Sequence, residues 1–308
     1  MPDRVRAGTA ATDRGRFALL EAEPGYGISE RRPALLVPGF TGSKEDFLPV
    51  LEPLATAGRT VVAMDLRGQY QSQQADDRAG YTPGELAADM LSVADTISQD
   101  TAGVHLVGHS MGGLIARHAT LLRTRRILSL TLLGSGPAAI AGQRAAALRD
   151  LLSLLDPQDG QGSLDRDQLR IIIGQLWRDR LEPQARVDGT DEHIIAFLRE
   201  RTMRTCPIGL VAMARFLLDC PDRTDELAAM TKPAGSAKLP VLVIYGEDDD
   251  AWPPAVQDHM ARRLGAERAC IPGAAHSPAV EAPDTTARAL TTFWNAAERR
   301  RPSAPKKA

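Results

Sequence analysis

The sequence lacks most of the features that mark specialised classes of protein. It has only 3 cysteines in 308 residues. Cys206, Cys220 and Cys270 are odd in number, widely spaced and free of any C-x-x-C pair. That excludes a disulfide framework and a cysteine zinc site. No apolar run approaches the ~20 residues a membrane helix needs. The first fifteen residues, MPDRVRAGTAATDRG, hold no apolar stretch that could serve as a secretory signal. An excess of one charge is missing too. Lys and Arg number 37 against 39 Asp and Glu, a formal net charge of −2. A general nucleic-acid binder would be strongly basic. No internal repeat is visible. With 43% apolar and 25% charged residues, the composition is that of an ordinary globular protein. The expectation is a reduced, cytoplasmic protein with no membrane span and no nucleic-acid partner.

What is present is a rhythm of short apolar runs and helical patterns. Runs at Ala34–Val37, Thr60–Met64, Val104–Val107, Ile127–Leu133, Val241–Tyr245 and Arg268–Ile271 read as strands. Ser43 is placed to cap a helix that ends at Gly58. Thr82 caps another, with Pro83 at its first position and Glu85 three residues past the cap. Further helices are expected at Leu114–Leu122, Pro254–Leu264 and Pro283–Ala297. Continuously apolar strands alternating with helices predict a doubly wound, mostly parallel α/β sheet. Between residues 138 and 238 the strands vanish and helical periodicity dominates, with polar breaks at Asp159-Gly160-Gln161-Gly162 and Val187-Asp188-Gly189. The expected organisation is an N-terminal extension (1–15), a core in two parts (16–137 and 239–298), a helical insertion (138–238) and a basic tail (299–308).

Chemistry concentrates at Gly108-His109-Ser110-Met111-Gly112-Gly113, directly after one strand and directly before a helix. This is a G-x-S-x-G pattern. A chain that reverses from strand to helix in so few residues strains the serine, and glycines two before and two after leave room for the turn. The hydroxyl is thereby lifted off the carboxyl end of the sheet, where open α/β sheets bind ligands. Two later segments supply partners. A carboxylate follows the run ending in Tyr245-Gly246, among Glu247-Asp248-Asp249-Asp250. His276 lies in the loop after the last strand. The order serine, acid, histidine is that of this architecture.

With these motifs the chain resembles an α/β-hydrolase-fold serine hydrolase with a helical cap, over roughly residues 16–300. GHSMGG, GEDDDAWPP and AAHSPAVEAPD stand where that family has its elbow, acid and histidine segments. The family's spacing from Gly246 and Pro253 picks Asp249 as the acid, with Asp248 and Asp250 as alternatives. The resemblance implies Ser110 as nucleophile, His276 as general base and then acid, and Asp249 as the group that orients the imidazole. It also implies an oxyanion hole from the backbone N–H groups of Met111 and Phe40. Many members carry His-Gly where this chain has Pro38-Gly39, which leaves open how that loop is held. Asp65-Leu66-Arg67-Gly68 resembles another family segment and reads as scaffold pairing.

Other patterns carry less. Gly39 to Lys44 lacks the spacing of a phosphate loop. Gly134-Ser135-Gly136-Pro137-Ala138-Ala139 fits a dinucleotide fingerprint, with Asp156 at the ribose offset, but Asp156 follows a helical pattern and not a second strand. His105, His118, His193 and His259 lack a partner at metal-ligand spacing. Trp252 either lines the pocket mouth or covers the sheet edge. One or two of Trp177, Phe197, Met203, Met213 and Phe216 are expected to face the site from the insertion. The leading expectation is a cofactor-free hydrolase cleaving a small-molecule carboxylic ester. The alternatives use the same three residues on a C–C bond, a lactone, peroxide or an acyl acceptor, or make the chain a non-catalytic ligand binder. The sequence leaves the oligomeric state open.

Overall fold

The apolar runs become strands of one sheet in the computed structural model, which describes residues 2–25, 31–98, 103–123, 126–156, 164–230 and 239–300. In chain order the strands are β1 (Val5–Thr12), β2 (Gly15–Ala22), β3 (Ala34–Val37), β4 (Val61–Met64), β5 (Val104–His109), β6 (Ile127–Leu133), β7 (Val241–Gly246) and β8 (Glu267–Ile271). Across the sheet they run β1-β2-β4-β3-β5-β6-β7-β8. β1 and β2 pair antiparallel, as do β2 and β4, and every pairing from β4 to β8 is parallel.

The helices around the sheet begin with α1 (Leu48–Thr56), α2 (Pro83–Ile97) and α3 (Met111–Leu122). Between β6 and β7 follow α4 (Gly142–Leu155), α5 (Arg166–Leu176), α6 (Glu182–Val187), α7 (Glu192–Arg204), α8 (Pro207–Asp219) and α9 (Thr224–Met230). The chain ends with α10 (Pro254–Leu264), α11 (Pro278–Glu281) and α12 (Pro283–Arg299). The Thr82 cap forms as its sequence demands, its hydroxyl accepting from Glu85 N–H at 3.3 Å.

Part of the expected N-terminal extension joins the sheet. Residues 5–12 form β1, an edge strand paired along its length with β2. Only Val5 and Ala10 of this strand are buried. Such an edge has no apolar run to betray it, and pairing with its neighbour is what makes it a strand. The expected break at Asp159–Gly162 and tail residues 301–308 lie outside the described residues.

Period-two alternation sorts the strand side chains onto two cores. Leu35, Val37, Leu106 and Leu130 meet Met90, Leu114 and Met260 on one face. Ala34, Leu36, Val107 and Ile244 meet Leu51, Leu54, Leu290 and Trp294 on the other. Each such large side chain contributes about 1.5–3 kcal/mol by leaving water. The helices between β6 and β7 carry a smaller core of Leu155, Leu169, Ile173, Leu210 and Val211. They are not fully separate from the rest, because Met213 and Leu217 of α8 and Leu227 of α9 belong to the first main core. Among the described residues no helix is long and apolar enough to cross a membrane.

The amino ends of β5 and β6 meet α12 through a buried polar network. His105 Nδ1 lies 2.7 Å from Ser129 Oγ, and its Nε2 lies 3.0 Å from Glu298 Oε1. Arg59, itself fully buried, donates to Glu298 at 2.8 Å and to Asn295 at 2.8 Å. Burial pushes the Glu298 carboxyl up, but the hydrogen bonds from His105 and Arg59 outweigh it and hold the group down at about 2. A carboxylate depressed on folding stabilises above its unfolded range, near 4.5, and that contribution is lost as pH falls toward 2. Denaturant unfolding should therefore show the native protein weakening between about pH 4.5 and pH 2. Glu298→Gln should cost about 1.5–3 kcal/mol at pH 7 and flatten that acid limb; an unchanged limb would remove Glu298 as its origin.

Candidate active site

Four loops at the carboxyl ends of parallel strands converge here. Ser110 joins β5 to α3 with φ +53° and ψ −121°, a conformation that costs a non-glycine residue roughly 1–3 kcal/mol. Its N–H donates to Leu133 O at 2.9 Å, fixing the turn to β6. The neighbouring glycines are required by close approach. A Cβ at Gly108 would lie 2.2 Å from the Gly112 carbonyl oxygen, one at Gly112 2.4 Å from Pro38 O, and one at Gly113 2.5 Å from Ser135 Cβ. Backbone therefore packs on backbone at Gly108 and Gly112 and on the Ser135 side chain at Gly113, and the hydroxyl is left at the head of α3.

His276, in the loop between β8 and α11, places Nε2 3.0 Å from Ser110 Oγ. Its Nδ1 lies 3.0 Å from Asp249 Oδ1. The Asp249 carboxylate follows β7 and is buried. Its Oδ1 also accepts from Ala251 N–H at 2.9 Å, and its Oδ2 from Gln257 Nε2 at 2.8 Å. Burial pushes this carboxyl up; the hydrogen bonds from His276, Ala251 and Gln257 more than offset that and leave it below the usual range. Asp249 is thus an anion at neutral pH, aimed at the imidazole. Asp250 points away and pairs with Arg144 at 2.6 Å and 2.9 Å. The backbone N–H of Asp248 donates to Ala274 O at 3.0 Å, tying this loop to the histidine loop.

His109 supports that same loop. Desolvation by burial, with the neighbouring His276 second, lowers it to about 4, so it is neutral near pH 7. Its Nε2 lies 2.9 Å from the His276 carbonyl oxygen, which requires the proton on that nitrogen. Glu281 brackets His276, accepting from Ala275 N–H at 2.5 Å and Ser277 N–H at 3.3 Å. Trp252 covers rather than lines: it is buried, donates to Ala138 O at 3.1 Å, and takes the space a side chain at Gly136 would fill. The Gly134–Ala139 segment is therefore a packing turn. Asp156 is bound by Arg78 at 2.7 Å and by Arg215. Asp65 and Arg67 pair separately, Asp65 with Lys44 at 3.0 Å and Arg67 with Asp89 at 2.5 Å.

A cavity of about 670 Å³ opens over Ser110 and His276. Phe40 lines it, with Ile140, Leu148, Leu151 and Leu217 forming an apolar wall and Arg144 and Arg201 at the rim. Arg201 donates to Asp46 at 2.6 Å. The large insertion residues expected here do not line the cavity. Trp177 is buried and donates to Glu182 at 2.8 Å, Met213 joins the main core, and Phe197 packs edge-on against Tyr70 with centroids 5.7 Å apart. Phe216 lines a smaller cavity beside α3, and Met203 lies partly exposed. Size was a poor guide, because the helices turn their bulkiest groups toward other surfaces and line the site with aliphatic side chains.

A model of the alpha/beta hydrolase family matches residues 34–289. The chain belongs to that family. It is 29% identical over 268 residues to the dihydrolipoyllysine-residue acetyltransferase component of an acetoin cleaving system from Pseudomonas putida, covering 85% of this chain and 63% of that protein. It thus spans less than two thirds of that relative's length. It is 27% identical over 290 residues to rhodomycin D methylesterase DnrP from Streptomyces peucetius, covering 87% of this chain and 94% of that protein. Among solved structures, a thermophilic esterase from Thermogutta terrifontis superposes with a TM-score of 0.66 at 23% identity, over 95% of this chain and 99% of that one. That likeness bears on the fold alone.

Within this alpha/beta hydrolase chain, the fold brings together Ser110, Asp249 and His276, the residues the sequence singles out, and adds Gln257, Glu281 and Gln69, which it does not. Gln69 is buried and donates to Gly39 O at 2.7 Å. Glutamines that hold other groups in place carry no spacing signature; only the folded contacts expose them. Separate Asn substitutions at 248, 249 and 250 should divide the acidic cluster. Asp249→Asn should lower kcat on the order of 10⁴-fold by admitting the wrong imidazole tautomer, while the other two stay within about threefold. An equal loss at Asp250 would overturn the assignment.

Proposed function

We propose that the chain hydrolyses a carboxylic ester through an acyl-enzyme on Ser110. The observation that carries this reading is the continuous hydrogen-bonded line from Ser110 Oγ through both nitrogens of His276 to a buried carboxylate. A serine hydroxyl is a weak nucleophile at neutral pH and needs a base within hydrogen-bond reach. His276 Nε2 takes the Ser110 proton as Oγ attacks the ester carbonyl, and Asp249 stabilises the imidazolium that forms. The tetrahedral oxyanion is met by the N–H groups of Phe40 and Met111. Collapse expels the alcohol, which takes its proton from His276. Water, deprotonated by the same imidazole, then releases the acid and restores Ser110.

The cavity's chemistry narrows the substrate. Its wall is aliphatic, its two arginines are already paired as Arg144–Asp250 and Arg201–Asp46, and its Glu281 carboxylate is taken up by the backbone N–H groups of Ala275 and Ser277. A neutral ester with an apolar acyl or alcohol group suits such a surface, because a charged one would have to displace an existing partner. The described residues of the segment between β6 and β7 serve as a cap, with Ile140 and helices α4, α7 and α8 supplying that wall and rim. The DnrP relative is named a methylesterase, which supports ester chemistry; the Pseudomonas relative is named an acetyltransferase component, which favours acyl transfer to another acceptor as a second reading. A cytoplasmic setting suits the free thiols of Cys206, Cys220 and Cys270.

Purified protein should turn over p-nitrophenyl esters, and Ser110→Ala should reduce kcat on the order of 10⁴–10⁶-fold with the fold intact. A fluorophosphonate should add its mass to the peptide holding Ser110 in the wild-type chain and not in the variant. Turnover surviving in Ser110→Ala would reject the reading. Leu148→Trp should move the preferred acyl or alcohol group to a shorter one, read from a chain-length scan, if the aliphatic wall receives it.

A further inference from the structure

An oxyanion hole works only if its donors are aimed before the reaction begins. Met111 N–H is aimed by the helix it starts. Phe40 has no such frame: it lies in a loop after β3, between Gly39 and Thr41, whose φ is +37°. Pro38, just upstream, has no N–H with which to brace the turn. Granting that Ser110 attacks a carbonyl, as proposed above, we propose that Gln69 is the positioning residue of the oxyanion hole: by gripping the Gly39 carbonyl it aims the Phe40 N–H at the reacting oxygen.

The contacts leave the Gln69 amide little freedom. Its side chain is fully buried. Oε1 accepts from Leu66 N–H at 2.9 Å, so Nε2 is the atom that faces and donates to Gly39 O, at 2.7 Å. The Gln69 backbone is held as well, its N–H donating to Leu66 O at 3.0 Å and its carbonyl accepting from Ser72 N–H at 2.9 Å. The two loops are tied a second time by Asp65, which accepts from Lys44 N–H at 2.7 Å and from Lys44 Nζ at 3.0 Å.

Peptide planarity carries this grip to the donor. The Gly39–Phe40 bond is trans, so the Phe40 N–H points opposite to the Gly39 C=O. With the carbonyl drawn toward Gln69, the N–H is turned away from it. Ser110 stands beside this peptide: a Cβ placed on Gly39 would lie 3.0 Å from Ser110 Cβ and 3.4 Å from its Oγ. Among the described residues the Phe40 N–H donates to no protein acceptor, as a group reserved for the substrate should. One other donor reaches Gly39 O, the Gly42 N–H at 3.2 Å. That bond lies within the strained turn itself and cannot anchor it to the rest of the fold.

Gln69→Glu and Gln69→Met test the assignment. Glutamate keeps an acceptor for Leu66 N–H and loses the donor to Gly39 O; methionine loses both at similar volume. In each folded variant kcat on a p-nitrophenyl ester should fall on the order of 10²-fold, with KM within about threefold. The inhibition constant of a trifluoromethyl ketone, whose adduct on Ser110 bears the oxyanion, should rise by about the same factor. The apparent pKa of the pH–rate profile should not move. A purely structural glutamine would instead lower the unfolding midpoint and leave kcat per folded molecule and the ketone's affinity within about threefold of wild type, and that result overturns the proposal. A loss confined to KM overturns it as well. If wild-type protein neither turns over esters nor is labelled at Ser110, the hydrolase reading falls and takes this proposal with it; if wild type is active and both variants match it, the proposal falls alone.

Discussion

The geometry of the site depends on backbone meeting backbone at the end of β5. Close approaches of backbone at Gly108 and Gly112, and of the Ser135 side chain at Gly113, leave no room for a Cβ. They allow Ser110 to sit at positive φ between a strand and a helix. Without them α3 would be displaced from the β3 loop and from Ser135. The hydroxyl would then leave the reach of His276, and the Gly39–Phe40 peptide would leave the reach of the hydroxyl. The strain at Ser110 is small against the two cores on either side of the sheet, which is why the fold can hold it.

Among the described residues a hydroxyl, an imidazole and a carboxylate line up in a second place as well. Ser129, His105 and Glu298 form a hydrogen-bonded line much like that of Ser110, His276 and Asp249. The difference is position. His105 on β5 and Ser129 on β6 are fully buried toward the amino ends of their strands, with the His105 ring stacked on Trp294. No carbonyl can reach them, and the line serves to seat α12. Ser110 and His276 border a cavity at the carboxyl ends. A relay of this kind is therefore structural or chemical according to whether a substrate can touch its hydroxyl, and the direction of the parallel strands decides which end is open.

The groups around the site are mostly occupied in aiming one another. Gln257 and Ala251 hold the carboxylate, His109 and Glu281 hold the histidine loop, and Gln69 holds the Gly39 carbonyl. Each contact removes a freedom that the reacting groups would otherwise lose during reaction. The segment between β6 and β7 is tied to the loops around the site through Arg144–Asp250 and Arg201–Asp46. Its own small core is continuous, through α8, with the main core, so its aliphatic wall stands at a set distance from Ser110.

Much of this was legible in the chain itself. Ile127–Leu133 is a strand because five apolar residues with only Ser129 and Thr131 between them suit a position covered on both faces. The GHSMGG turn declares its strain through its glycines, and the acid and histidine segments follow in order. β1 was not legible, because an exposed edge strand of small and polar residues has no period of its own and exists by pairing. Nor were Gln69, Gln257 and the aliphatic wall, since a single amide or a Leu on a helix has the same local signature wherever it points. The residue types and their order determined which chemistry this chain can attempt, because those are properties of the covalent sequence. Which glutamine braces which loop, and which side chains wall the cavity, were decided by tertiary structure alone, because each depends on distances between residues far apart along the chain.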